Sequence, residues 1–121
     1  MVIFGEEYGF LLTIGASAAI ADLCPDGDLN RMPEVLNGSY SKTANFIAAL
    51  IEAMAKGFDD AKRYAGEEVT HKPLTAEMVL ALPGNLFKDV QAEAIEAFNN
   101  ATKTTVEVAP SKKKDEEKGS S

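Results

Sequence analysis

The residues able to do chemistry in this chain are few, and their spacing limits what each can do. His71 is the only histidine, set between Thr70 and Lys72 in a polar stretch. A general base needs an orienting partner and a nucleophile within hydrogen-bond reach. The sequence nominates neither, so an exposed loop histidine is the expectation. Cys24 is the only cysteine, which excludes an internal disulfide and a structural zinc site of the multi-cysteine kind. It ends an apolar segment beside Pro25 with no basic neighbour to activate it, the setting of a buried structural thiol. Asp22, Asp26 and Asp28 resemble a calcium loop but lack its ligand spacing and its bidentate glutamate; a helix end followed by an N-cap accounts for them. Asp59-Asp60 and Glu67-Glu68 are paired carboxylates, yet both fall on or beside the solvent side of a helix and read as solvated charge. No Gly-rich phosphate loop, HExxH, GxSxG or CxxC occurs. The sequence therefore predicts no catalytic, cofactor-binding or metal-ligating residue, and the chain is expected to be non-enzymatic.

The elements that would position these residues belong to one small domain. At 121 residues the chain supports one modest core. Its 12 basic and 19 acidic residues give a net charge of −7, which argues against a nucleic-acid partner, since such binding depends on Lys and Arg neutralising phosphates. No run approaches the 18 uninterrupted apolar residues of a membrane span. Residues 10–21 (FLLTIGASAAIA) have the look of a secretory h-region, but Glu6 and Glu7 precede them and the first basic residue is Arg31. A signal peptide needs a positive flank, so none is expected. Asn37-Gly38-Ser39 and Asn100-Ala101-Thr102 then fit the N-glycosylation pattern by chance.

Val2-Ile3-Phe4 and residues 8–14 (YGFLLTI) are β-prone runs separated by Gly5-Glu6-Glu7, which predicts an N-terminal hairpin. Residues 15–24 change to helical spacing, with Ala16, Ala19, Ile20 and Leu23 on one side, and Pro25-Asp26-Gly27 stops that helix. Asp28 is placed to cap a short segment ending at Leu36, with Pro33 forcing a kink or a late start. Ser39 or Ser41 caps the longest helix, reaching about Ala65, whose apolar stripe is Phe46, Ile47, Leu50, Ile51, Met54, Phe58, Ala61 and Tyr64. Lys42, Glu52, Lys56, Asp59, Asp60 and Lys62 fall mostly on its other side. Thr75 caps a turn stapled by Leu74 and Val79, and Asn85 caps a last helix with Leu86, Phe87, Val90, Ala94, Ile95 and Phe98 inward. Residues 104–108 (TTVEV) alternate like an edge strand. Residues 110–121 contain no apolar side chain after Pro110 and are expected to be disordered. The predicted architecture is mainly α (α+β): a four-helix domain over residues 1–109, with a small N-terminal β-hairpin and a charged tail over 110–121. The domain carries 8 basic against 16 acidic side chains.

This order of elements resembles the small tail assembly chaperones of long-tailed bacteriophages and prophages, especially those of Gram-positive hosts. The resemblance rests on Leu12-Thr13-Ile14-Gly15-Ala16, the Asp-Gly-Asp turn at 26–28, Leu36-Asn37-Gly38, the long amphipathic helix, Leu74-Thr75-Ala76-Glu77 and the charged tail. It covers about residues 2–109. It implies a non-enzymatic protein of the host cytoplasm that binds the tape-measure protein, helps tail-tube subunits assemble around it, and is absent from the finished virion. Many such proteins are extended by a programmed ribosomal frameshift; Lys112-Lys113-Lys114 is a stretch that an A-rich slippery sequence would encode, or simply a solvated basic cluster. Another small phage morphogenesis protein (a connector or tail-completion factor) and a small enzyme subunit are the competing readings. Several apolar stripes on so small a domain further predict a homo-oligomer, with residues 15–19 (GASAA) allowing close helix approach. Because the tail offers nothing to a core, truncation after Ala109 is expected to leave the thermal midpoint nearly unchanged in calorimetry; a large drop would show that the tail docks.

Overall fold

A computed structural model describes residues 1–102. The expected strand at 104–108, the tail at 110–121 and Lys112-Lys113-Lys114 lie outside these residues. The described chain is mainly helical with a small N-terminal hairpin, in the order β1 (Val2–Ile3), β2 (Glu6–Glu7), α1 (Ile14–Ala21), α2 (Met32–Leu36), α3 (Tyr40–Tyr64), α4 (Ala76–Leu80) and α5 (Gly84–Thr102). It holds five α-helices rather than four, because the Thr75-capped turn closes into α4, with the Thr75 hydroxyl accepting from Met78 N.

The hairpin is tighter than its sequence suggested. Val2 pairs with Glu7 and Ile3 with Glu6, antiparallel, around a two-residue turn at Phe4-Gly5. Both turn residues take positive φ, 49° and 80°, the geometry that matches the twist of a two-residue hairpin and for which glycine is suited. Glu6-Glu7 is thus the second strand, not the connection. Residues 8–13 are not a strand, and Thr13-Ile14 belong to the helix start: the Thr13 hydroxyl caps α1 by accepting from Ala16 N at 3.0 Å. Apolar runs of this length do not separate strand from extended chain laid against a helix.

The connection from α1 to α2 behaves as its prolines require. Two short 3-10 turns, Pro25–Gly27 and Leu29–Arg31, follow α1. The Asp28 carboxylate caps the second by accepting from Asn30 N, and α2 starts late, with Pro33 in its first turn. Ser39 then caps α3 by accepting from Lys42 N at 3.2 Å. The last helix begins at Gly84, one residue before Asn85 and not capped by it.

α3 is the axis of the molecule. Phe46, Ile47, Leu50, Ile51 and Met54 are buried on it as expected, together with Ala48, Ala55, Gly57 and Asp59. Phe58 and Ala61 are half-buried and Tyr64 is exposed. α1, α2, α4 and α5 all pack against it, contributing Ala16, Ile20, Leu36, Val79, Val90, Ala94 and Phe98 to the core. Ala19 and Leu23, expected on the inner side of their helix, are exposed. The extended residues 9–13 lie along α3, with Leu11 N donating to Met54 O at 3.1 Å.

That contact explains a glycine in mid-helix. A Cβ on Gly57 would stand 2.6 Å from the Leu11 carbonyl oxygen and 3.0 Å from the Thr13 hydroxyl. The backbone atom cannot rotate away, so the segment would have to lift. Gly57→Ala gains about 1 kcal/mol of helix propensity but overpacks the contact, and a net loss of about 2 kcal/mol is expected by chemical denaturation. Gly84→Ala, which meets open space, is expected to be neutral or stabilising; equal effects at both sites would refute the close-approach account.

Candidate functional site

The titratable groups that come together are Asp59, His71 and Tyr8. The helix turn that carries Asp59 and Asp60 separates them by about 100°, and their fates differ accordingly. Asp60 sits between Lys56 Nζ at 2.7 Å and an Arg63 guanidinium nitrogen at 2.9 Å. The hydrogen bond from Lys56, with further attraction from Arg63, holds its carboxyl below the usual range. Asp59 points inward and is 3% exposed, against the expectation of a solvated pair. The spacing Ala48, Ile51, Ala55, Asp59 marks a single helical face whose buried members are small or apolar, and Asp59 closes it. That face was the available signal.

His71 is not an exposed loop residue. After α3 ends, Glu67 N donates to Lys62 O and the chain turns back over the helix. His71 Nε2 then lies 3.0 Å from both Asp59 carboxylate oxygens, with 13% of its side chain exposed. Its ring tilts against Tyr8, centroids 4.5 Å apart. Tyr8, 1% exposed, donates its hydroxyl to the Lys72 carbonyl at 2.7 Å. Burial, with the nearby charges of Glu6 and Asp59, pushes the Tyr8 hydroxyl pKa up, so it remains a donor. Three remote segments, residues 8, 59 and 71–72, are thereby fastened at one point.

Tyr8 and His71 of this cluster, but not Asp59, form part of the wall of a cleft of about 420 Å³ that also includes Glu6, Glu7, Phe58, Lys62, Glu68 and Glu93. The Met1 amine at its edge is bonded to the Glu7 carboxylate and to Tyr8 O. An Asp–His pair whose imidazole faces a cleft is half of a nucleophile-activating device: the carboxylate fixes the imidazole, which then takes a proton from Ser, Thr or Cys. Of the cleft's lining residues only Thr70 carries an aliphatic hydroxyl, and the Tyr8 hydroxyl is already spent on Lys72 O. What the geometry performs is the satisfaction of a buried carboxylate.

The remaining candidates stay apart from this cluster. Cys24 is buried, its Sγ 3.5 Å from Ile20 O; burial, then Asp28, pushes its thiol pKa up. Asp26 pairs with Arg31 and Asp28 caps a turn. Among the described residues no group of three or more His, Cys, Asp or Glu is arranged to hold a metal ion, and no helix is long and apolar enough to cross a membrane. Glu67 and Glu68 are exposed.

A second concavity has the opposite chemistry. At the N-terminal end of α3, Leu23, Cys24, Pro25, Val35 and Phe46 line an open apolar groove of about 550 Å³, rimmed by Ser41, Lys42 and Asn45. Leu23 is 42% exposed there, and Tyr40 nearby in sequence is 90% exposed. No family model, curated protein or solved structure matches the chain.

Removing one partner of a buried pair leaves an uncompensated polar group and costs about 3 kcal/mol. His71→Ala is expected to lose that much. Because Asp59→Ala removes the same interaction, the double variant is expected to lose at least about 1 kcal/mol less than the sum. Additive losses in urea denaturation would show that the pair does not couple.

Proposed function

We propose that this chain is a non-enzymatic assembly chaperone of the phage-tail type, which holds apolar helices of a tape-measure protein and keeps them soluble while tail-tube subunits assemble. The observation that carries the reading is the apolar groove of Leu23, Pro25, Val35 and Phe46. Its side chains come from the connection after α1, from α2 and from α3, so it is a shaped surface and not a scattered set of exposed residues. An amphipathic partner helix buries spaced apolar anchors in a groove of this kind. The net charge of −7 favours solubility of the complex. The occupant is identified by the resemblance in element order, with the bacterial host cytoplasm as the place of action. Without that partner, a second copy covers the same surface, giving a homo-oligomer.

The Asp59–His71 pair is the one observation favouring a second reading, a small enzyme subunit. That reading requires a nucleophile within reach of His71, and Thr70 is the aliphatic hydroxyl among the cleft's described lining residues.

Co-expression with a tape-measure protein from the same genome tests the proposal. The wild-type chain is expected to raise the partner's soluble fraction several-fold. Leu23→Glu, at a position already 42% exposed, is expected to abolish the rescue while circular dichroism stays unchanged. Rescue by Leu23→Glu would remove the groove from the account, and failure of the wild-type chain would remove the function. Sedimentation at tens of micromolar is expected to show a species heavier than the 12.9 kDa monomer.

A further inference from the structure

The Asn37-Gly38 junction belongs neither to the cluster nor to the groove's lining, yet it holds the most reactive amide pairing in the chain. An asparagine side chain is attacked at Cγ by the backbone nitrogen of the next residue, and glycine, having no side chain, hinders that nitrogen least. The chain has asparagine at 30, 37, 45, 85, 99 and 100, followed by Arg31, Gly38, Phe46, Leu86, Asn100 and Ala101. Only Asn37 precedes glycine. It is exposed and ends α2 as its C-cap, whereas Asn45, Asn85, Asn99 and Asn100 lie within helices whose backbones are held. The fold also keeps glycine in place: a Cβ at position 38 would stand 3.2 Å from the Val35 carbonyl oxygen.

We infer that Asn37 is a self-modification site, converting to aspartate and isoaspartate through a cyclic imide. The Gly38 nitrogen forms a bond to Asn37 Cγ, the Cγ–amide nitrogen bond breaks, and ammonia leaves with the proton from Gly38. Water then opens the ring at either carbonyl, so no oxidant or cofactor is consumed. The native turn gates this reaction. Gly38 N–H donates to Val35 O at 3.1 Å, and a ψ of 11° at Asn37 turns the attacking nitrogen away from the side chain. Ring closure therefore proceeds through local opening between α2 and α3. The product places a new negative charge against the C-terminal end of α2, where it is unfavourable, two residues from Val35 of the apolar groove. Asp26-Gly27 has the same backbone pairing but a worse leaving group, and its carboxylate is paired with Arg31.

Peptide mapping of the full chain aged in mildly alkaline buffer tests this. The tryptic fragment 32–42 contains Asn37 as its single asparagine, and it is expected to gain one mass unit before any other asparagine-containing fragment. It should split into separately eluting aspartate and isoaspartate forms. Asn37→Gln is expected to abolish the change, and denaturant to accelerate it several-fold in the wild-type chain. Earlier conversion at another asparagine, or aspartate without isoaspartate, would overturn the site or the route. An equal rate in denaturant would overturn the gating by the turn.

Discussion

Enclosing α3 is the constraint on which the rest of the structure depends. A helix of 25 residues is about 37 Å long, and burying it on several faces takes most of the apolar surface this chain can supply. Three consequences follow along its length. Where another backbone must approach, the helix carries Gly57 beneath Leu11. Where helices press closely, it carries Ala48 and Ala55, both fully buried. Where the wrapping chain is polar, it carries Asp59, and the wrap supplies His71 as the partner. The helix sequence thus records what lies against each face, which a single amphipathic stripe does not describe.

That distinction separates what was legible in the sequence from what was not. The Ser39, Thr75 and Asp28 caps were readable because a capping oxygen and the amide it serves are two or three residues apart. The late start of α2 follows from Pro33 alone. The α3 stripe from Phe46 to Met54 followed from spacing. By contrast, residues 8–13 have the composition of a strand, but among the described residues they pair with none; one amide, Leu11 N, instead finds Met54 O on α3. Tertiary contact overrides local propensity there. The placement of Glu6-Glu7 in β2 depended on where positive φ falls, and Phe4 is an unusual residue to accept it.

The cluster at the C-terminal half of α3 was the least legible part. Asp59 and His71 are 12 residues apart and Tyr8 is far from both, so no local pattern joins them. A paired Asp-Asp reads as surface charge, and for Asp60, between Lys56 and Arg63, that is correct. Its neighbour differs only by a rotation about the helix axis. A buried carboxylate with a histidine partner is tolerable at the end of a chain segment that must be held down without regular structure. Leu74 then enters the core, 3% exposed, and α4 can begin. In this position the pair acts as a fastener for the return of the chain.

The two ends of α3 therefore carry different kinds of surface. Phe46 in the groove and Asp59 in the cluster are 13 residues apart, about 20 Å along the axis. At the Asp59 end the polar groups are mutually occupied: carboxylate with imidazole, hydroxyl with carbonyl, Met1 amine with Glu7. The Asp59–His71 and Tyr8 bonds resist exchange of partners, since Asp59 or the Tyr8 hydroxyl, once released, would be left buried and unpaired. At the Phe46 end the exposed atoms are largely apolar and have no internal partner to give up. Association there gains by removing surface from water, at about 25 cal/mol per Å², with little competing loss of hydrogen bonds.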